Sequence, residues 1–107
     1  MKELNNENFE EEIKLGVTLV DFFAEWCGPC RMMTPVLEEV SSELKDKATI
    51  AKLDIDHSSS IASKYQVTSV PTLVLFKDGK EVDRLIGLRD AEAIKILFRK
   101  RINLLVS

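Results

Sequence analysis

The run Val17-Thr18-Leu19-Val20-Asp21-Phe22-Phe23 constrains this chain more than any other segment. It is apolar almost throughout rather than alternating, and it is short. That is the pattern of a strand covered on both faces. Such a strand needs a layer above and below it, which demands an α/β architecture. Candidate layers follow. From Cys27 to about Lys45, Met33, Val36, Leu37, Val40 and Leu44 recur at helical spacing. Pro35 falls inside that helix and should kink it, because it lacks an amide hydrogen and clashes one turn back. Ala48 to Ile55 reads as a second central strand. Ser58 to Ser60 offer caps for a short helix through Ile61, Ala62 and Tyr65. Thr72 to Phe76 and Lys80 to Ile86 flank Asp78-Gly79, a strong hairpin signal. A last helix from near Asp90 should bury Ile94, Leu97, Phe98 and Ile102. Arg99, Lys100 and Arg101 then form a solvated cluster suited to the negative end of its dipole. At the start, Asn6 is expected to cap a short helix with Phe9 and Ile13 inward and Gly16 ending it.

The order βαβαβ followed by ββα predicts a mixed sheet of four to five strands with helices on both faces. No linker, repeat or low-complexity stretch interrupts the 107 residues, so residues 1-107 are expected to form one domain. A chain of this length buries about two-thirds of its unfolded surface, enough for a core without staples. Fifteen basic against eighteen acidic residues give a net charge of -3, which speaks against a nucleic-acid footprint. No stretch approaches the ~18 apolar residues of a membrane span. Met1 to Glu7 lacks the apolar core of a signal peptide, so a cytoplasmic protein is expected.

Two cysteines, Cys27 and Cys30, stand three apart where the buried strand ends and the long helix begins. A bond between them closes so small a loop that it stabilises the fold little, and chemistry explains the spacing better. At a helix N-terminus, free amides and the positive dipole end favour the Cys27 thiolate, the reactive form. Cys30, one turn further in, is expected to be the more covered and to resolve what Cys27 attacks. Helical neighbours three apart have Cβ atoms about 5–6 Å apart, against about 3.5–4.5 Å in a disulfide. A small adjustment therefore fits both redox states to one backbone. Gly28 leaves the sulfurs open, and Pro29 costs little in a first turn. The alternative is half a zinc site. Zinc wants four ligands and His57 is the only histidine, so one chain cannot complete it and no metal is expected. His57 reads as a loop or helix-start residue, and Met32 and Met33 as core and rim packing.

Trp26-Cys27-Gly28-Pro29-Cys30, preceded by Val20-Asp21-Phe22-Phe23-Ala24-Glu25, resembles the active-site signature of the thioredoxin family. The likeness runs from about Phe9 through the last helix. It implies the thioredoxin fold, a mixed sheet flanked by four helices, and thiol–disulfide exchange as the activity. Thioredoxins are a standard example of a lowered thiol pKa and a reducing potential, and both come here as family expectations. The resemblance makes Asp21 a buried carboxyl that exchanges a proton with Cys30. From the residues alone, the alternative is a sheet-edge position where Asp21 reaches water. Lys52 resembles the lysine that modulates that carboxyl, with an ordinary solvated lysine as the alternative. Val70-Pro71-Thr72 resembles the family's cis-proline loop, although most X-Pro bonds are trans. Beside Pro71 an extended substrate could pair with the backbone as an added strand. Trp26 either packs in the core or, flanking the nucleophile, touches partners. Gly87 matches a glycine beside the site, or serves a plain turn.

The likeness further implies no bound cofactor, electrons from NADPH through a flavoprotein thioredoxin reductase, disulfide-containing protein substrates, and a monomer. Gly28-Pro29 adds no positive charge beside the thiolate, which argues for a reductant rather than an oxidant. Three positions depart from the family pattern. Phe23 stands where many members have a second tryptophan. Arg31 replaces a frequent lysine, and the short start leaves a first strand of a few residues around Leu4.

Overall fold

In a computed structural model that describes residues 1–103, the chain runs β1 (Lys2–Leu4), α1 (Phe9–Ile13), β2 (Val17–Phe23), α2 (Gly28–Leu44), β3 (Thr49–Asp54), α3 (Ser59–Lys64), β4 (Thr72–Lys77), β5 (Lys80–Ile86) and α4 (Ala91–Ile102). The strands form one five-stranded sheet in the order β1-β3-β2-β4-β5. β1 and β2 both run parallel to β3, while β4 is antiparallel to β2 and to β5. The continuous apolar run is thus the middle strand, as its pattern requires.

Side chains along a strand alternate between faces, and β2 sorts its residues accordingly. Leu19 joins Met33, Leu37, Val40 and Leu44 of α2 and Ile94, Leu97 and Phe98 of α4. Val20 and Phe22 join Phe9, Ile13, Ile61 and Phe76 on the opposite face, under α1 and α3. There Phe9, Phe22, Tyr65 and Phe76 form a ring cluster with centroids 5.1 to 6.5 Å apart. Asp21 has the parity of Leu19 and therefore faces α2. Each of the four fully buried α2 side chains contributes roughly 1.5–3 kcal/mol of burial. Pro35 lies within α2 as the sequence indicates.

The turn at Asp78-Gly79 has positive φ at both residues, 51° and 86°, the geometry that matches a hairpin's twist. Asp78 also accepts the Gly16 amide at 2.7 Å, and its own amide donates to the Gly16 carbonyl at 2.9 Å. Gly16 takes φ of 79° to allow this.

Three local expectations need correction. Asn6 does not cap α1; Asn8 occupies that position, and Asn5 organises the turn by accepting the amides of Glu7 and Asn8, both at 2.9 Å. Asn6 instead accepts the Ser60 hydroxyl at 2.8 Å, tying the α1 turn to α3. The Arg99–Arg101 cluster is not simply solvated. Arg99 pairs with Glu92 at 2.7 Å, and Arg101 donates to the Val82 carbonyl at 3.0 Å, occupying an acceptor on β5. Ile102 is half-buried rather than buried. Among the described residues, no helix is long and apolar enough to cross a membrane.

Candidate active site

β2 ends at Phe23, and three residues carry the chain to Cys27, the N-cap of α2. Cys27 has extended backbone, φ -91° and ψ 112°, and its Sγ accepts the Cys30 amide at 3.2 Å. A sulfur replaces the usual oxygen of an N-cap, so a first-turn amide of the helix points at this atom. Cys27 and Cys30 are joined in a disulfide with Cα atoms 5.3 Å apart. The expected difference in cover is scarcely there: Cys27 is 4% exposed and Cys30 3%. Position distinguishes the two cysteines, since the Cys27 sulfur receives the helix amide while Cys30 lines a cavity shared with Asp21. A Cβ added at Gly28 would meet nothing within 4 Å, and Pro29 sits in the first turn.

The Val70–Pro71 peptide is cis, and the Val70 carbonyl lies 3.8 Å from Cys27 Sγ. Val70, Phe23 and Ile55 pack against the cysteines. The Pro71 carbonyl accepts the Gly87 amide at 2.8 Å, which brings the loop after β5 to the same edge. Gly87 has φ of 91°, so the turn alone requires glycine there. A Cβ at Gly87 would likewise meet open space.

Behind the disulfide, Asp21 is 3% exposed on a central strand, which rules out the sheet-edge alternative. A cavity of about 120 Å³ connects Asp21, Cys30, Thr34 and Lys52. The Asp21 Oδ1 has no hydrogen-bond partner among the described residues. Burial pushes its carboxyl up from 3.8 to about 7, with the Lys52 charge pulling the other way. Lys52 stands directly across from Asp21 in the β2–β3 register, half-buried, its Nζ 5.5 Å from the Phe23 ring centroid.

Trp26 is not core: it is 67% exposed. Its Nε1 donates to Asp56 Oδ2 at 3.0 Å. Asp56 escaped the sequence reading, because nothing in the local pattern after β3 shows that this loop meets residue 26. Met33 is fully buried and Met32 is on the rim; His57 is exposed. Among the described residues, no group of three or more His, Cys, Asp or Glu side chains could hold a metal ion. What converges at this edge is a reversible dithiol, an amide-stabilised sulfur, and a carboxyl able to take or give a proton near neutral pH.

The family model described as Thioredoxin matches residues 1–100. The chain is 53% identical over 100 residues to a thioredoxin of Chlamydia pneumoniae, an alignment covering 94% of this chain and 97% of that protein. It is 46% identical over 99 residues to a thioredoxin of Staphylococcus saprophyticus, covering 92% and 95%. Among solved structures, a mutant thioredoxin from Halobacterium salinarum matches with a TM-score of 0.84 at 38% identity, covering 94% of this chain and 88% of that one. The chain belongs to the thioredoxin family, and its cysteine pair is that of a thiol–disulfide oxidoreductase.

Proposed function

We propose that the chain is a general protein-disulfide reductant in which Cys27 attacks and Cys30 resolves. The observation that carries this assignment is the helix amide on the Cys27 sulfur, paired with a cavity lined by both Cys30 and the Asp21 carboxyl. The Cys27 thiolate attacks one sulfur of a substrate disulfide, forming a mixed disulfide and expelling the first substrate thiolate, which takes a proton from water. Cys30 then gives its proton to the Asp21 carboxylate. As a thiolate, it displaces the second substrate sulfur from Cys27, and that departing thiolate also takes a proton from water while Asp21 returns its own to solvent. The substrate leaves as a dithiol, two electrons richer, and this chain is left as the Cys27–Cys30 disulfide, two electrons poorer. A carboxyl near 7 suits such a transfer, since it can be found in either state at working pH.

Lys52 tunes Asp21 through its charge. Trp26, Gly28, Pro29, Val70, Pro71 and Gly87 form the docking face, where an extended substrate segment pairs with backbone beside Pro71. The chain carries no resident cofactor of its own. NADPH supplies the electrons through a flavoprotein thioredoxin reductase, and the protein acts as a monomer in the cytoplasm. Residues 1-107 serve as one domain in this reading.

The test uses two substitutions. With Cys30→Ser, covalent complexes with substrate proteins should accumulate and be released by added dithiol. With Cys27→Ser, reduction of insulin disulfides should stop. Undiminished insulin reduction by Cys27→Ser would remove the assigned nucleophile and leave a docking module in its place.

A further inference from the structure

Asp54 is the other carboxylate that the fold buries on the central strands, 2% exposed, and the exchange steps make no use of it. It ends β3 opposite Phe23, the last residue of β2. From there it organises the loop that follows. Its Oδ1 accepts the Asp56 amide at 2.9 Å, a turn in which the side chain replaces a backbone acceptor. Its carbonyl accepts the Ser58 amide at 2.9 Å, and the intervening Ile55 amide donates to Phe23, also at 2.9 Å. The second carboxylate oxygen faces Nδ1 of exposed His57 at 3.5 Å. Asp56, placed by this turn, extends its own carboxylate to the Trp26 indole.

An aromatic ring that is two-thirds exposed has too little packing to hold one orientation. The Asp56 hydrogen bond does so for Trp26, and Asp54 fixes where Asp56 stands. We propose that Asp54 is a positioning residue: through Asp56 it holds the Trp26 ring in place beside Cys27, so that protein substrates meet a docking face already ordered. Pre-ordering one side chain lowers the entropic cost of binding, which affects large partners that touch the ring and not small disulfides that reach only the sulfur. The inference rests on Cys27 attacking and on Trp26 touching substrate.

The experiment takes the prereduced protein with Asp54→Ala and Asp54→Asn. It follows the NMR signal of the one indole Nε1–H in the chain and the rates with insulin and with bis-hydroxyethyl disulfide. In Asp54→Ala the indole signal should move toward that of free tryptophan and exchange faster with water. The insulin rate should fall about two- to tenfold, the range expected for freeing one ordered side chain. The small-disulfide rate should stay at the wild-type value. Asp54→Asn keeps an oxygen for the Asp56 amide and should restore both readings. An unmoved indole signal overturns the proposal, as does an unchanged insulin rate or an equal slowing with both disulfides. Should Asp54→Ala not fold, Asp54→Ser replaces it. The weaker turn of serine should give an intermediate shift and an intermediate loss, and wild-type values in that variant overturn the proposal equally. Failure of the underlying reading would be seen separately, as insulin reduction surviving Cys27→Ser.

Discussion

Asp21 carries a penalty that packing alone would have removed by placing an apolar residue in β2. With a folded pKa of about 7 against 3.8 unfolded, the folded chain holds a proton that the unfolded chain releases between those values. Stability therefore falls as pH rises from about 4 to about 7, by roughly 4 kcal/mol in total, and stays lower above that. Asp21→Asn should abolish this slope and unfold at higher urea than the wild type at pH 8, while the mixed disulfide with substrate persists longer. Urea titrations across pH check the first statement and quenched-flow trapping the second; a variant no more stable at pH 8 than its parent would refute the penalty. The same residue shows what the linear pattern could and could not reveal. A carboxylate within an apolar run is visible as an anomaly, but the anomaly alone leaves edge and centre open. Only the register, with β3 on one side and β4 on the other, excludes water on the strand's flanks.

At the scale of elements, periodicity made most of the fold readable. The β2 run, the α2 stripe and the Asp78-Gly79 hairpin each follow from a local rule, and each lies where that rule puts it. Contacts between distant segments were not readable. Asn6 reaches α3, Arg101 reaches β5 and Asp56 reaches Trp26. No spacing within any one element reports such a meeting. The cis peptide at Val70–Pro71 was available only through family resemblance, since proline alone favours trans. The α2 helix joins packing to chemistry, because its buried face holds the first turn against β2. Met33→Ala opens a cavity one turn beyond the cysteines and should cost about 2–5 kcal/mol. Breaking the exposed Lys64–Glu10 pair with Glu10→Gln should cost at most about 0.5 kcal/mol. Thermal and urea melts of the two variants compare these directly; similar losses would contradict the view that the α2 core, rather than surface charge, holds the site's platform.

For the whole molecule, topology decides where chemistry can occur. The parallel strands β3 and β2 deliver their C-terminal ends to one edge, where ligand sites of open α/β sheets gather. β4 runs the other way, so its start carries Pro71 to that same edge, and the end of β5 brings Gly87 beside it. The fold thus supplies a helix terminus, a buried acid and an open rim from the ends of its elements and the loops that join them. The central claim is that the Cys30 amide and the N-terminal end of α2 stabilise the sulfur of Cys27 as a thiolate. The most direct measurement is the ionisation of that thiol in the reduced protein, followed by its absorbance near 240 nm or by the pH dependence of its alkylation. The midpoint should lie at least one unit below the ~8.5 of a free cysteine. A midpoint at or above that value would mean the helix end does not activate this sulfur.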